Sequence, residues 1–137
     1  MGLFNIFDIA GSGMSAQTTR LNTTASNLAN ADTVADSEEK AYKGRHPVFR
    51  AVLEGLNEEQ AGTRVKVEQI TESEAPAQMR YMPHHPMANE QGYVFGSNVN
   101  AIEEMSNMIS ASRSYQNNVE VLNTSKDLLL KTLNLGK

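Results

Sequence analysis

The stretch NVNAIEEMSNMISASRSYQNNVEVLNTSKDLLLKTLNLG, residues 98–136, carries the longest regular pattern in the chain. Ala101, Met108, Tyr115, Leu122 and Leu129 recur every seven residues. Met105, Ser112, Val119 and Leu133 lie four further on, and Lys126 interrupts that second line. Side chains at this period share one face of a helix. The spacing predicts a helix from Asn98 or Asn100 to Asn134, with Gly136 as its stop. At about 1.5 Å per residue it is roughly 50 Å long. Glu103 and Glu104 fall in its first turn, where carboxylates suit the helix dipole, and read as solvated.

A rod of that length needs a long partner. Residues from about Ser12 to Ala31 supply a shorter one. Phe7, Met14, Leu21 and Leu28 form a seven-residue series, and Ala10, Gln17, Thr24 and Ala31 sit three further on. The first line is strongly apolar and the second weak. Gly11 or Ser12 is expected at the helix start. Gly11-Ser12-Gly13 is read as a flexible entry, because a phosphate loop needs a Gly-Lys-Ser/Thr ending and a preceding strand. Asn30, Asp32 and Thr33 supply stop and turn chemistry. The first helix spans only about 30 Å, so part of the last helix's stripe stays uncovered within one chain.

Between them, residues 34–98 hold all four prolines. Val48 to Leu53 and Val65 to Gln69 alternate as strands do, and Gly55 to Gly62 is the connection of a hairpin. Met79 to Met82 is a third extended piece. Gly92-Tyr93-Val94-Phe95-Gly96 is an extended passage into the last helix. The expected fold is mainly α with a small β-rich middle, divided as 1–33, 34–98 and 99–137, with the terminal helices paired as a coiled coil.

Composition narrows the function. The chain has 137 residues, no cysteine and a net charge of −4. Disulfides and thiolate chemistry are excluded, and no basic cluster suits nucleic acid. No apolar run is long enough for a membrane helix. The opening Met1 to Ile9 is apolar but lacks a basic flank, so a cleaved secretory signal is not expected. Leu, Ile, Val and Phe number 29 of 137, barely above the level at which chains stay disordered. Burial against partners is expected to supply what the chain's own core lacks.

The helix surfaces are unusual. From Ser12 to Ala31 the only charge is Arg20, and from Ser106 to Asn118 it is Arg113. Solvated helix faces normally carry Lys and Glu. Neutral amides and hydroxyls can instead hydrogen-bond across a dry contact without the cost of burying a charge. A plain two-helix hairpin with an Asn/Ser/Thr-rich surface fits the pattern equally well. Arg113 is read either as a bridge to a neighbouring subunit or as a solvated side chain. Met79, Met82, Met87, Met105 and Met108 are either adaptable contact surface or ordinary core.

Other motifs carry little chemistry. His84 and His85 are adjacent with no carboxylate or cysteine spacing to complete a metal site, and read as loop histidines. Asn22-Thr23-Thr24 and Asn123-Thr124-Ser125 match a glycosylation acceptor but fall inside predicted helices. No nucleophile, base and orienting group can be assembled, so neither an enzyme nor a bound cofactor is expected.

Two segments carry a resemblance. Leu21, Ala25, Asn27-Leu28-Ala29-Asn30 and Thr33 follow a Leu-x-x-x-Ala-x-Asn-Leu-Ala-Asn-x-x-Thr pattern. Ala111-Ser112-Arg113-Ser114-Tyr115-Gln116-Asn117-Asn118, followed by Val121-Leu122 and Leu128 to Leu133, closes the chain. This resembles the flagellar rod and hook protein family, at both ends and in the right order. The short length points to the small rod members. There are departures: Gly96-Ser97 stands where a Pro often precedes Asn98-Val99-Asn100, and Thr33-Val34-Ala35-Asp36 replaces a Thr-Pro-Gly-Tyr turn.

The resemblance implies a structural subunit of the proximal rod. It implies type III export without a cleaved signal, helical polymerisation above the membrane ring, and torque transmission across the periplasm. The implied partners are copies of itself, other flagellar rod proteins, the export apparatus and basal-body ring components, with no nucleic acid or small-molecule substrate. Seams and resemblance together give an expected subunit interface of Met14, Leu21, Ala25, Asn27, Leu28, Asn30, Met105, Met108, Arg113, Tyr115, Asn118, Val119, Leu122, Leu129 and Leu133. A soluble helical adaptor or secretion chaperone is the competing reading.

Overall fold

The computed structural model describes residues 3–54 and 62–136. The order is α1 (Leu3–Ala29), β1 (Val34–Ala35), β2 (Arg45–Glu54), β3 (Gly62–Glu72), β4 (Gln78–Tyr81), β5 (Tyr93–Gly96) and α2 (Ala101–Leu135). Two long helices enclose a small antiparallel β middle, so the fold is mainly α, as the patterns predict. The expected hairpin connection lies, apart from Gly62, outside the described residues.

α1 and α2 pack antiparallel. Asn27 reaches Glu104 and Arg20 reaches Asn107. Gly13 lies against Asn118, and Ile6 sits beside Asn117, Val121 and Ser125. Leu130, Leu133 and Leu135 therefore run on beyond Leu3, the first described residue of α1.

α1 begins nine residues before the expected start at Ser12. Glycine weakens a helix by about 1 kcal/mol, but packing along α2 and β3 holds the chain helical through both glycines. Ser12 is consequently not a cap. Its hydroxyl donates to the Ile9 carbonyl at 2.7 Å and accepts from the Val65 amide at 3.1 Å, tying β3 to the helix. Gly13 has a steric reason: a Cβ there would stand 2.8 Å from Asn118 Nδ2.

The two helices are joined by a zipper that apolar patterning does not announce. β1 pairs with β5, Val34 opposite Gly96 and Ala35 opposite Phe95. Thr33 keeps its expected place in the turn, β1 starts directly after it at Val34, and β5 takes β4 on its other edge. Val94 in the middle strand is fully buried. Tyr81 and Tyr93 meet edge to face at 5.2 Å. β2 and β3 form the expected hairpin, with a register shift at Val48/Phe49. It lies along α1, where Arg64 pairs with Asp8 at 2.8 Å.

α2 starts as predicted. Asn100 caps it, its side chain accepting from the amides of Ile102 at 3.1 Å and Glu103 at 3.4 Å. Gly136 ends it with φ −88°, so the stop is not the left-handed glycine cap that its identity invites.

The seam of α2 needs one correction. Met108, Leu122 and Leu129 are half-buried, as their series predicts, and Tyr115 sits at the seam's rim. The companion line is not Met105, Ser112, Val119 and Leu133. It lies one residue earlier, on Glu104, Ala111, Asn118 and Ser125, of which Glu104, Ala111 and Ser125 are buried. These side chains are small or polar, so an apolar count passes over them. In α1 the weak line is likewise the more deeply packed: Ala10, Thr24 and Ala31 are buried, while Phe7, Met14, Leu21 and Leu28 are half-covered.

Candidate assembly interface

The inside of the chain is unusually poor in large side chains. Its buried apolar residues, among those described, are Ala10, Ala16, Ala31, Ala35, Ala41, Ala111, Val94 and Val99. Leucine, isoleucine, phenylalanine and methionine are absent from that set. Among the described residues, eighteen large apolar side chains are instead exposed. At roughly 25 cal/mol per Å², buried alanines contribute far less than buried leucines. The fold must be specified by other means.

The means is a polar junction around Asn27. This side chain is 0% exposed and uses all of its hydrogen-bonding capacity. Its Nδ2 donates to the Arg45 carbonyl at 2.8 Å and to Glu104 Oε2 at 3.0 Å. Its Oδ1 accepts from the Arg45 amide at 2.9 Å and from the Tyr42 hydroxyl at 3.0 Å. One amide thus replaces a strand neighbour for β2 and joins it to both helices. The Tyr42 oxygen lies 3.1 Å from Ser26 Oγ, and its ring lies under the Arg45 guanidinium.

Glu104 is 3% exposed. Burying a carboxylate is costly unless its oxygens are met. Asn27 meets one oxygen, and Asn107 Nδ2 donates to the other at 3.4 Å. Asn107 Oδ1 accepts in turn from Arg20 at 3.2 Å. The lone cation of the Ser12 to Ala31 stretch is therefore linked to the buried acid through an amide, and the first turn of α2 adds its dipole. Sequence reasoning puts Glu104 in solvent, and burial corrects it. The missed signal is its seven-residue spacing from Ala111, Asn118 and Ser125.

Asn98 forms a second anchor. It accepts from the Gly44 amide at 2.7 Å and donates to the carbonyls of Ser73 at 3.3 Å and Ala75 at 2.7 Å. Asn98-Val99-Asn100 thus fixes the loops with one amide and caps α2 with the other.

The structure sorts the expected interface residues. Asn27 is internal in the single chain, its amide fully used within it. Asn30 donates to the Ser26 carbonyl at 2.9 Å and finishes α1. Asn118 lies against Gly13 within the chain. Met14, Leu21, Leu28, Met108, Val119, Leu122 and Leu129 are half-buried, touching both the interior and the surface. Ala25, Met105, Arg113, Tyr115 and Leu133 are exposed. Arg113 makes no ion pair or hydrogen bond among the described residues.

Exposed apolar side chains run the length of α2: Ile102, Met105 and Ile109 near its start, then Val121, Leu128, Leu130, Leu133 and Leu135. They form a surface fit for contact rather than for reaction. Among the described residues there is no cluster of three or more His, Cys, Asp or Glu, and no helix is long and apolar enough to cross a membrane.

Comparison with known proteins gives this surface its context. Residues 7–34 match the family described as flagella basal body rod protein. Residues 90–135 match the C-terminal family of the flagellar basal body rod FlgEFG proteins. The matched segments take in most of α1, the first residue of β1, and all of β5 and α2, which defines a flagellar basal-body rod protein. Proteins named flagellar basal-body rod protein FlgC from Yersinia enterocolitica, Salmonella typhimurium and Escherichia coli O157:H7 are each 50% identical to it, over the whole of both chains. The chain belongs to the FlgC family, a structural subunit of the basal-body rod.

Proposed function

We propose that this chain polymerises with copies of itself and with other rod proteins to build the proximal rod, and that the rod carries motor torque across the periplasm. It carries no active site and needs no cofactor. It leaves the cytoplasm through the flagellar type III system without a cleaved signal, meeting the export apparatus and the basal-body ring on the way. Residues 1–33 and 99–137 are the tube-forming unit, and residues 34–98 form an outer domain laid against α1.

The observation that supports this reading is the inverted distribution of apolar side chains. Among the described residues, alanines fill most of the inside while 18 large hydrophobic residues stay exposed. A folded chain with that surface gains stability only when neighbours cover it. Low stability alone also suits passage through a narrow channel, with ordering completed at the growing tip. The interface on this reading runs along Met14, Leu21 and Leu28 of α1 and Met105, Tyr115, Leu122, Leu129 and Leu133 of α2, with Arg113 facing a neighbour's acid or carbonyl.

The test is complementation of a strain lacking the protein. Leu28→Asp and Leu122→Asp should abolish motility while the protein is still exported. Normal swimming in both would refute the helical-seam interface. Sedimentation and circular dichroism of the purified chain separate this reading from a soluble adaptor. A rod subunit should be marginally stable, with a low unfolding midpoint, or self-associating, and a highly stable monomer would favour the adaptor.

A further inference from the structure

β2 and β3 form a sheet of only two strands, and its two outer edges differ. The Val65 amide turns out of the ladder and donates to Ser12 Oγ at 3.1 Å, so the β3 edge rests on α1. Val65 stands opposite Ala51. Opposed residues of an antiparallel pair turn their backbone groups the same way, both into the ladder or both out of it, and the sense alternates along each strand. The amides and carbonyls of Phe49, Ala51 and Leu53 therefore point out of the β2 edge. At the base of β2 this edge is met, where Asn27 bonds both the amide and the carbonyl of Arg45. From Phe49 onward, nothing among the described residues hydrogen-bonds to it.

Exposed strand edges invite pairing with another chain, and proteins blunt them with proline, charge or a bulge. The first half of β2 has two of these, Pro47 and the register shift at Val48/Phe49. The second half has neither. Arg50 is the one charge from Phe49 to Leu53, and it is turned back across the hairpin to Glu68 at 3.1 Å. Phe49 and Leu53 are 38% and 69% exposed. With Ala51 they share one face, because alternate side chains of a strand do. A sheet of two strands is also marginal in water on its own.

We propose that this edge is a self-complementary surface for a second copy of the chain. β2 of one copy pairs antiparallel with β2 of the other about a twofold axis at Ala51, and the two hairpins become one four-stranded sheet. In that register Ala51 meets Ala51, Phe49 meets Leu53 and Arg50 meets Val52. All three outward residues exchange hydrogen bonds, and each large apolar side chain covers another. The neighbouring twofold registers are worse. An axis at Arg50 sets the two guanidinium side chains directly opposite each other, which is destabilising. An axis at Val52 carries Phe49 past the end of β2 at Glu54. A twofold contact closes on itself, whereas a rod contact must repeat with one polarity. The pair is therefore a state of the chain outside the rod, and it stands or falls independently of the rod reading.

The full chain allows a direct test, because it has no cysteine of its own. Hydrogen-bonded residues across an antiparallel pair have Cα atoms about 5.5 Å apart. That lies inside the range of about 4.4–6.8 Å that a disulfide spans. Ala51→Cys alone should therefore form a covalent dimer with oxidised glutathione about tenfold faster than Thr63→Cys, an exposed position on the β3 side of the same hairpin. Phe49→Cys mixed with Leu53→Cys should give mostly the mixed dimer. Equal rates at Ala51 and Thr63 would overturn the proposal, as would Leu53→Cys pairing mainly with itself. Ala51→Pro supplies a measurement without cross-linking. The Ala51 amide takes no part in the β2–β3 ladder, so proline spares the hairpin while blocking the second copy. Sedimentation equilibrium should show the parental dimer lost, with circular dichroism unchanged. A parental chain that stays monomeric at high concentration, or a dimer that survives Ala51→Pro, would overturn it.

Discussion

At one end of the helix pair, Asn27 and Glu104 meet in a junction that is 0% and 3% exposed and fully hydrogen-bonded. At the other end, Ile6 lies beside Asn117 and Ser125, and the last turns of α2 run on with Leu133 61% exposed and Leu135 87% exposed. The same two helices are thus locked by polar chemistry where the chain doubles back and left apolar where it does not. Buried polar groups fix one geometry, since each partner lost is a penalty, whereas apolar surface accepts any cover. The junction end is determined within one molecule. The open end is available to its neighbours.

The largest effect should come from breaking the junction. Asn27→Ala strands the Arg45 amide and carbonyl and one oxygen of Glu104, and leaves the Tyr42 hydroxyl with Ser26 alone. Removing one member of a buried charged network costs about 3–5 kcal/mol. Urea denaturation followed by circular dichroism should show the loss. Asn27→Asp should be at least as harmful, because it sets a second carboxylate against Glu104. If either variant kept the parental midpoint, the contrast between the two ends would vanish.

The two ends are not equally legible in sequence. The open end announces itself through Phe7, Met14, Leu122 and Leu129, because apolar periodicity is the strongest signal a single sequence carries. The family resemblance is equally readable, since the Leu21 to Thr33 stretch and the Tyr115 region sit at opposite ends of the chain in the right order. The junction is hidden for a physical reason. Asn27, Tyr42, Asn107 and Glu104 are polar, far apart in sequence, and meaningful only as a set. Polarity alone sends each to the surface, Glu104 included. The early start of α1 is hidden likewise, because Gly11 and Gly13 read as breakers until α2 and β3 are seen beside them.

The middle of the pair sharpens the contrast at lower energy. A Cβ added at Gly11 would meet nothing within 4 Å, whereas one at Gly13 would stand 2.8 Å from Asn118 Nδ2. Gly13→Leu should destabilise by about 1–3 kcal/mol through overpacking. Asn118→Ala should recover part of that loss, and a double-mutant cycle measures the coupling. Gly11→Ala should instead stabilise the free chain by about 0.5–1 kcal/mol, since it only restores helix propensity. Opposite signs two residues apart would establish that α2 is packed tightly along this stretch. Equal signs would mean that the helices are not held at this distance.

The smallest effect on the free chain should be at the open end, and it is the most informative. Leu133→Asp changes a side chain that is 61% exposed and beyond the described start of α1. Surface substitutions away from packed features usually stay within about 0.5 kcal/mol. The unfolding midpoint of the purified protein should therefore not move. Rod assembly should nevertheless fail, because a carboxylate placed in an apolar subunit contact is buried without a partner. Motility on soft agar and recovery of the protein in isolated basal bodies read the second outcome directly. A variant that unfolds early would mean that Leu133 packs within its own chain. A variant that swims would mean that no neighbour covers this end of α2, and the apolar overhang would need another explanation.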